Sequence, residues 1–153
     1  LGEFTVPVGK IEITKEGQDV TLVTYGSTWR IVMEAALELE KLGISAEVID
    51  VQSLIPFDLS HDIAESVKKT NRLVVIDEDV EGGTSAFILQ QILEKQKAFR
   101  FLDSDPLTIS AENHRPAYAS DGDYFSKPSA DDMVEKIYAM FNESNPNKFP
   151  KIF

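Results

Sequence analysis

Three groups of residues in this chain have the types and spacing to do chemistry. The first is the junction Tyr25-Gly26-Ser27-Thr28, where an apolar run stops at glycine and a helical pattern begins. Free backbone N–H groups at a helix start, with the helix dipole behind them, favour a phosphate or carboxylate, so Gly26, Ser27 and Thr28 form an anion-binding candidate. Neither a GxGxxG nor a GxxxxGK[ST] spacing accompanies them, and simple helix capping is the other reading. The second group, Asp77, Glu78, Asp79 and Glu81, follows an apolar strand, at the end where open sheets place ligands. It reads as a docking surface for a basic partner or as a solvated acidic turn. It lacks the terminal glutamate of a calcium loop. A receiver-type phosphoacceptor site would need further acids after the first strand. The third group is His114, Arg115, Tyr118, Tyr124 and Phe125, in a stretch that reads as one long irregular loop. Its aromatic residues call for burial, against another domain or subunit or against this domain's own core. His114 has no nucleophile or orienting acid beside it in the sequence, and His61, next to Asp62, reads as surface or cap. No catalytic residue and no metal ligand set is assigned.

Composition narrows the partners. The chain has 153 residues with 15 Lys+Arg against 26 Asp+Glu, a formal net charge of -11. That balance opposes binding to nucleic acid, which needs clustered cations, and docking on an anionic membrane. With no cysteine, thiol catalysis, redox dithiols and sulfur-built zinc sites are excluded, and a reducing cytoplasm is the expected setting. The sequence has no apolar run long enough to span a bilayer. It starts at Leu1 rather than Met, which reads as a piece of a longer polypeptide.

Positioning these groups requires alternating strands and helices. Strands are expected at Val8–Thr14 (entering a hairpin-like turn at Lys15–Gln18), Val20–Tyr25, Ile44–Val51, Arg72–Asp77 and Pro106–Glu112. Helices are expected behind Ser27-Thr28 up to a stop at Gly43, behind a cap at Asp58 or Ser60, behind Thr84 or Ser85, and from Ser129 to Phe141. Residues 113–128 read as loop and 142–153 as an extended polar tail. The pattern implies one α/β domain over residues 1–153, with a core at about 9–141. It has three layers, with a mostly parallel central sheet of about five strands flanked by helices.

The order of motifs then becomes specific. Asp19-Val20-Thr21-Leu22-Val23-Thr24-Tyr25-Gly26 is followed by Gly43-Ile44-Ser45-Ala46-Glu47-Val48-Ile49-Asp50-Val51-Gln52-Ser53-Leu54-Ile55-Pro56-Phe57-Asp58 and by Lys69-Thr70-Asn71-Arg72-Leu73-Val74-Val75-Ile76-Asp77-Glu78. Together, from about Gly9 to Phe141, these resemble the transketolase C-terminal domain of the beta subunit of thiamine-diphosphate-dependent 2-oxo acid dehydrogenases. The stretch from His114 to Pro128 looks like a variant in which alpha and beta parts are fused. The resemblance implies a complete enzyme that decarboxylates pyruvate or a branched-chain 2-oxo acid and passes the acyl group to a lipoyl acyltransferase. It implies thiamine diphosphate and Mg²⁺ in that enzyme and none in this piece, because the catalytic domains lie upstream. The expected role here is dimerisation and docking. The partners are the remaining enzyme domains or alpha subunit, a second copy, and the acyltransferase's basic subunit-binding domain. The equivalent domain of a transketolase or deoxyxylulose phosphate synthase, and an independent small-anion binding module, are the alternatives.

Overall fold

The structure is a computed structural model that describes residues 2–3, 5–115, 118 and 121–152. Five strands form one sheet: β1 (Glu12–Lys15), β2 (Val20–Thr24), β3 (Ala46–Asp50), β4 (Leu73–Val80) and β5 (Leu107–Ala111). The helices are α1 (Thr28–Lys41), α2 (Asp62–Thr70), α3 (Thr84–Gln90), α4 (Asp121–Ser126) and α5 (Ala130–Ser144). A π-helical turn at Gln91–Lys95 extends α3, and a 3-10 turn follows at Ala98–Phe101.

The strand order is β1-β3-β2-β4-β5, with β2, β3, β4 and β5 parallel and β1 antiparallel on the edge. Central strand β2 is buried along its whole length, as its β-branched run with no polar-out alternation demands. One face of the sheet packs on α1 and α5 through Leu22, Val48, Ile76, Val32, Leu39 and Ile137. The other packs on α2, α3 and the 3-10 turn through Val23, Ile49, Val75, Ile63, Val67 and Ile88. The expected three-layer α/β architecture is the one observed.

Several local expectations change. The first strand is shorter than expected, and its partner is β3 (Ile13 opposite Ile49) rather than β2, so Lys15–Gln18 is not a hairpin turn. There, Gly17 passes against the Ala46–Glu47 peptide, and this close approach explains the glycine. Strand β4 runs on through Glu78 and Asp79 to Val80, which pairs with Ala111, so the acidic group begins inside a strand. The stretch read as loop contains α4. The tail is not extended away from the domain: Phe149 is buried, packed edge-on against Tyr138 and Phe141, while Tyr138 Oη donates to the Pro150 carbonyl at 2.9 Å. A single aromatic in a polar stretch is enough to recover this burial, which the tail's composition hid.

The helix ends follow local chemistry. Past α1, Gly43 at φ +80° lets the Ile44 and Gly43 N–H groups bond the Leu39 and Glu40 carbonyls, each at 3.0 Å, the Schellman arrangement. Asp58 caps α2 as expected, its carboxylate accepting from the Asp62 and Ile63 N–H groups at 3.1 and 2.9 Å. Ser129 and Asp132 close a reciprocal capping box on α5, which holds the Asp132 carboxyl below its usual range.

Candidate functional site

Chain direction decides where a site can form. From β2 the chain passes through α1 to β3 on one side, and from β4 it passes through α3 to β5 on the other. The two connections diverge between adjacent parallel strands, which makes the carboxyl ends of β2 and β4 the topological switch point. Gly26-Ser27-Thr28 leaves β2 there, and Asp77-Glu78-Asp79 occupies the end of β4. Two groups separated by about fifty residues in sequence are thus brought together.

They meet by bonding each other. Tyr25 Oη donates to Asp77 Oδ1 at 2.7 Å, and Ser27 Oγ donates to Glu78 Oε2 at 3.0 Å. Lys127, from the segment between α4 and α5, donates to the same Glu78 oxygen at 3.2 Å. Asp77 is fully buried and also accepts from the Asp79 N–H at 3.0 Å and the Ser85 N–H at 2.8 Å. It therefore caps α3, in place of the expected Thr84 or Ser85 side chain. Burial pushes the Tyr25 phenol above its ordinary value of 10.0; Thr84 opposes this and Asp77 adds to it.

This geometry changes the reading of both groups. Ser27 does not cap α1 with its side chain, and Thr28 is buried. The carboxylate of Glu78 already sits against Ser27 at the helix start. A cleft of about 430 Å³ alongside is lined by Glu34, Glu78 and Asp131 with one lysine, Lys127. An incoming phosphate would meet these charges, so the cradle does not suit an anion. For the same reason its residues do not fit the diphosphate of a coenzyme. Among the described residues no group of three or more His, Asp or Glu is placed to hold a metal ion. In the acidic group, Asp77 is unable to face a partner because it is buried and triply bonded, which corrects its place among the docking candidates. Glu78 is half-buried and engaged, while Asp79 and Glu81 are exposed.

The third group is split. His114 and Arg115 are exposed in the segment after β5, and His114 Nδ1 lies 3.0 Å from the Arg115 carbonyl oxygen. The Arg115 guanidinium bonds Tyr118 Oη and lies 4.9 Å from its ring, leaving Tyr118 82% exposed. Phe125 stands on α4, exposed, and the Tyr124 side chain lies outside the described residues. Of the two readings of these aromatics, burial on the domain's own core is not what Tyr118 and Phe125 do.

Sequence reasoning missed one ionic centre. Glu47, on β3, is fully buried, and its Oε2 bonds Lys69 Nζ on α2 and accepts from the Gly17 N–H at 3.3 Å. Burial pushes this carboxyl up, but the Lys69 ammonium and the other donors around it outweigh that and hold it below 4.5. A charge between Ala46 and Val48, inside the buried part of β3, was the available signal.

The fold and the switch point define a class, and comparison with known proteins agrees. The chain matches the family described as "Transketolase, C-terminal domain" over residues 9–130, and it belongs to that family. It is 35% identical over 141 residues, 92% of its own length, to the pyruvate dehydrogenase E1 component subunit beta of Rhizobium meliloti, and covers 30% of that protein. It is 37% identical over 110 residues to the subunit of the same name in Bacillus subtilis, covering 71% of this chain and 33% of that one. With the 2-oxoisovalerate dehydrogenase subunit beta of Dictyostelium discoideum it shares 40% over 97 residues, 62% of this chain and 26% of the relative. The chain thus spans about a third of the length of these relatives. Among solved structures, one titled "Split gene transketolase, inactive beta4 tetramer" superposes with a TM-score of 0.72 at 25% identity, covering 92% of this chain and 44% of that one.

Proposed function

We propose that this chain is the C-terminal domain of the decarboxylating component of a pyruvate or branched-chain 2-oxo acid dehydrogenase, and that its role is assembly rather than chemistry. The observation that carries the reading is the match across 92% of the chain to 30% of a pyruvate dehydrogenase beta subunit. The switch-point crevice supports the division of labour, since its own carboxylates hold the position a ligand would take. In this reading thiamine diphosphate and Mg²⁺ belong to the complete cytoplasmic enzyme, and the domain meets its remaining parts, a second copy and the lipoyl acyltransferase. Several plant and animal relatives are named mitochondrial, so the compartment varies among relatives.

Of the acidic group, Asp79 and Glu81 are the exposed members, and they are the docking carboxylates for the acyltransferase's basic subunit-binding domain. Calorimetric titration of that domain into this chain is expected to show affinity that falls as salt rises. Replacing both residues by lysine should weaken it about tenfold at low salt. Affinity indifferent to salt and to both substitutions overturns the docking role. The likeness to a split-gene transketolase supports a second reading, the equivalent domain of a sugar-phosphate enzyme. Turnover of the complete enzyme with 2-oxo acids against sugar phosphates separates the two.

A further inference from the structure

Ile55 and Leu59, in the loop between β3 and α2, are 85% and 67% exposed, and Val8 is exposed beside them with Val6 two residues further out. Single exposed hydrophobics are ordinary, whereas a group held together by the fold is not. The Gly9 N–H donates to Ser53 Oγ at 2.7 Å, and Ser53 Oγ donates to the Pro56 carbonyl at 3.0 Å. The Leu59 N–H in turn donates to the Gly9 carbonyl at 2.9 Å. Gly9 lies so close that a Cβ on it would come within 2.7 Å of the Leu59 side chain and 3.1 Å of Pro56. The chain leading into Gly9 is thereby tied to this loop.

The patch is uncharged and firmly held. Between residues 52 and 60 the one charge is Asp58, and residues 5–9 have none, in a chain that is 27% charged. Asp58 is 1% exposed and accepts from the Asp62 and Ile63 N–H groups and the Gln96 amide, so the loop is anchored from within while Ile55 and Leu59 stay outside. Strand direction adds a constraint. β1 runs antiparallel to β3 with Glu12 opposite Asp50, so the segment before β1 enters the sheet at the carboxyl end of β3, where this loop begins.

We propose that the patch around Val8, Ile55 and Leu59 is the seat of the domain that precedes this one in the complete enzyme. The proposal rests on the reading of this chain as a C-terminal domain, which covers 30% of a relative's length. Whatever precedes Val6 there arrives at this patch. An uncharged apolar surface suits a permanent contact, because obligate interfaces are more hydrophobic than transient ones. A basic partner gains nothing from a surface without charge. A two-fold contact between copies would set each patch on itself, with both preceding segments crowding into it. A domain tethered through Val6 instead meets the patch at high effective concentration, so a small apolar area suffices.

The test is N-ethylmaleimide labelling followed by peptide mass spectrometry, which reads each site by itself even where the complete enzyme has cysteines elsewhere. This chain has no cysteine, so an introduced thiol reports its own surroundings. Ile55→Cys and Leu59→Cys should label fast in this chain and about tenfold or more slower in the complete enzyme. Lys41→Cys, at the polar end of α1, should label alike in both. Undiminished labelling of Ile55→Cys and Leu59→Cys in the complete enzyme overturns the proposal. So does slowing in this chain that grows with its concentration, the mark of a second copy, and so does equal slowing at Lys41→Cys, the mark of general shielding. Turnover with 2-oxo acids is measured on the same preparations. Turnover with unprotected sites overturns the seat alone, and protected sites without turnover support the seat while overturning the reading of the enzyme.

Discussion

Three carboxylates lie fully buried among the described residues, and each is held by a different kind of partner. Asp58 takes two helix N–H groups and the Gln96 amide, at 2.9 Å. Asp77 takes two backbone N–H groups and a phenol. Glu47 alone depends on a cation, Lys69, whose side chain stays 32% exposed. Removing that cation strands a charge in the core, at a cost of about 2 kcal/mol once solvent access at Lys69 is allowed for. Lys69→Met is therefore expected to lower stability by about that amount at pH 7, measured by urea unfolding, and Glu47→Gln in the same chain should recover most of it. The pH dependence has a definite sign. Glu47 sits below its ordinary 4.5, so its contribution is present above that value and lost as pH falls through the lower, folded one. Burial lowers Lys69, but Glu47 and Glu16 outweigh it and raise the group above 10.5. Its contribution is complete below 10.5 and lost as pH rises through the raised value. The deficit of Lys69→Met should shrink on acidification, as the stranded Glu47 takes up a proton. A deficit equal at pH 7 and pH 4 would show that the pair contributes nothing electrostatic.

At the scale of elements, two glycines mark junctions with different demands. Gly17 turns the chain between β1 and β2, and a Cβ there would land on the Ala46–Glu47 backbone, which has nowhere to move. Gly26 leaves β2 at φ +63°, and a Cβ added there would have nothing within 4 Å. Gly26→Ala should cost about 1 kcal/mol, the ordinary penalty of the left-handed region. Gly17→Ala should cost more than about 3 kcal/mol, because a backbone clash inside a sheet cannot relax locally. Urea midpoints for the two variants check the order, and equal costs would mean that β1 yields as an edge strand.

On the scale of the whole molecule, the sheet order 1-3-2-4-5 brings Tyr25, Ser27, Asp77 and Glu78 to one crevice and lets them satisfy each other. A crevice already tied across by hydrogen bonds and walled by Glu34, Glu78 and Asp131 offers an incoming anion no open cradle. Titration of thiamine diphosphate with Mg²⁺ into this chain should therefore give no saturable heat. Micromolar binding would overturn the assignment of the domain to assembly. Tyr118 and Phe125 are exposed, as is Val80 (39%) at the end of β4, and in the proposed reading neighbouring parts of the complete enzyme would cover this apolar surface.

The α/β class, the parallel core and most helix starts were legible in the sequence, because apolar periodicity and caps are local signals: the buried run Val20–Thr24, Asp58 ahead of α2, Gly43 behind α1 and Ser129 ahead of α5 each announce themselves within a few residues. Pairing is not local. That β1 joins β3, that Phe149 returns to Phe141, that Lys69 neutralises Glu47 and that Glu78 fills the start of α1 all depend on residues meeting across the fold. Sequence alone named the groups able to carry charge or bind it. Only the tertiary structure decided which of those charges are spent on one another and which remain for a partner, because that depends on burial and distance rather than on order along the chain.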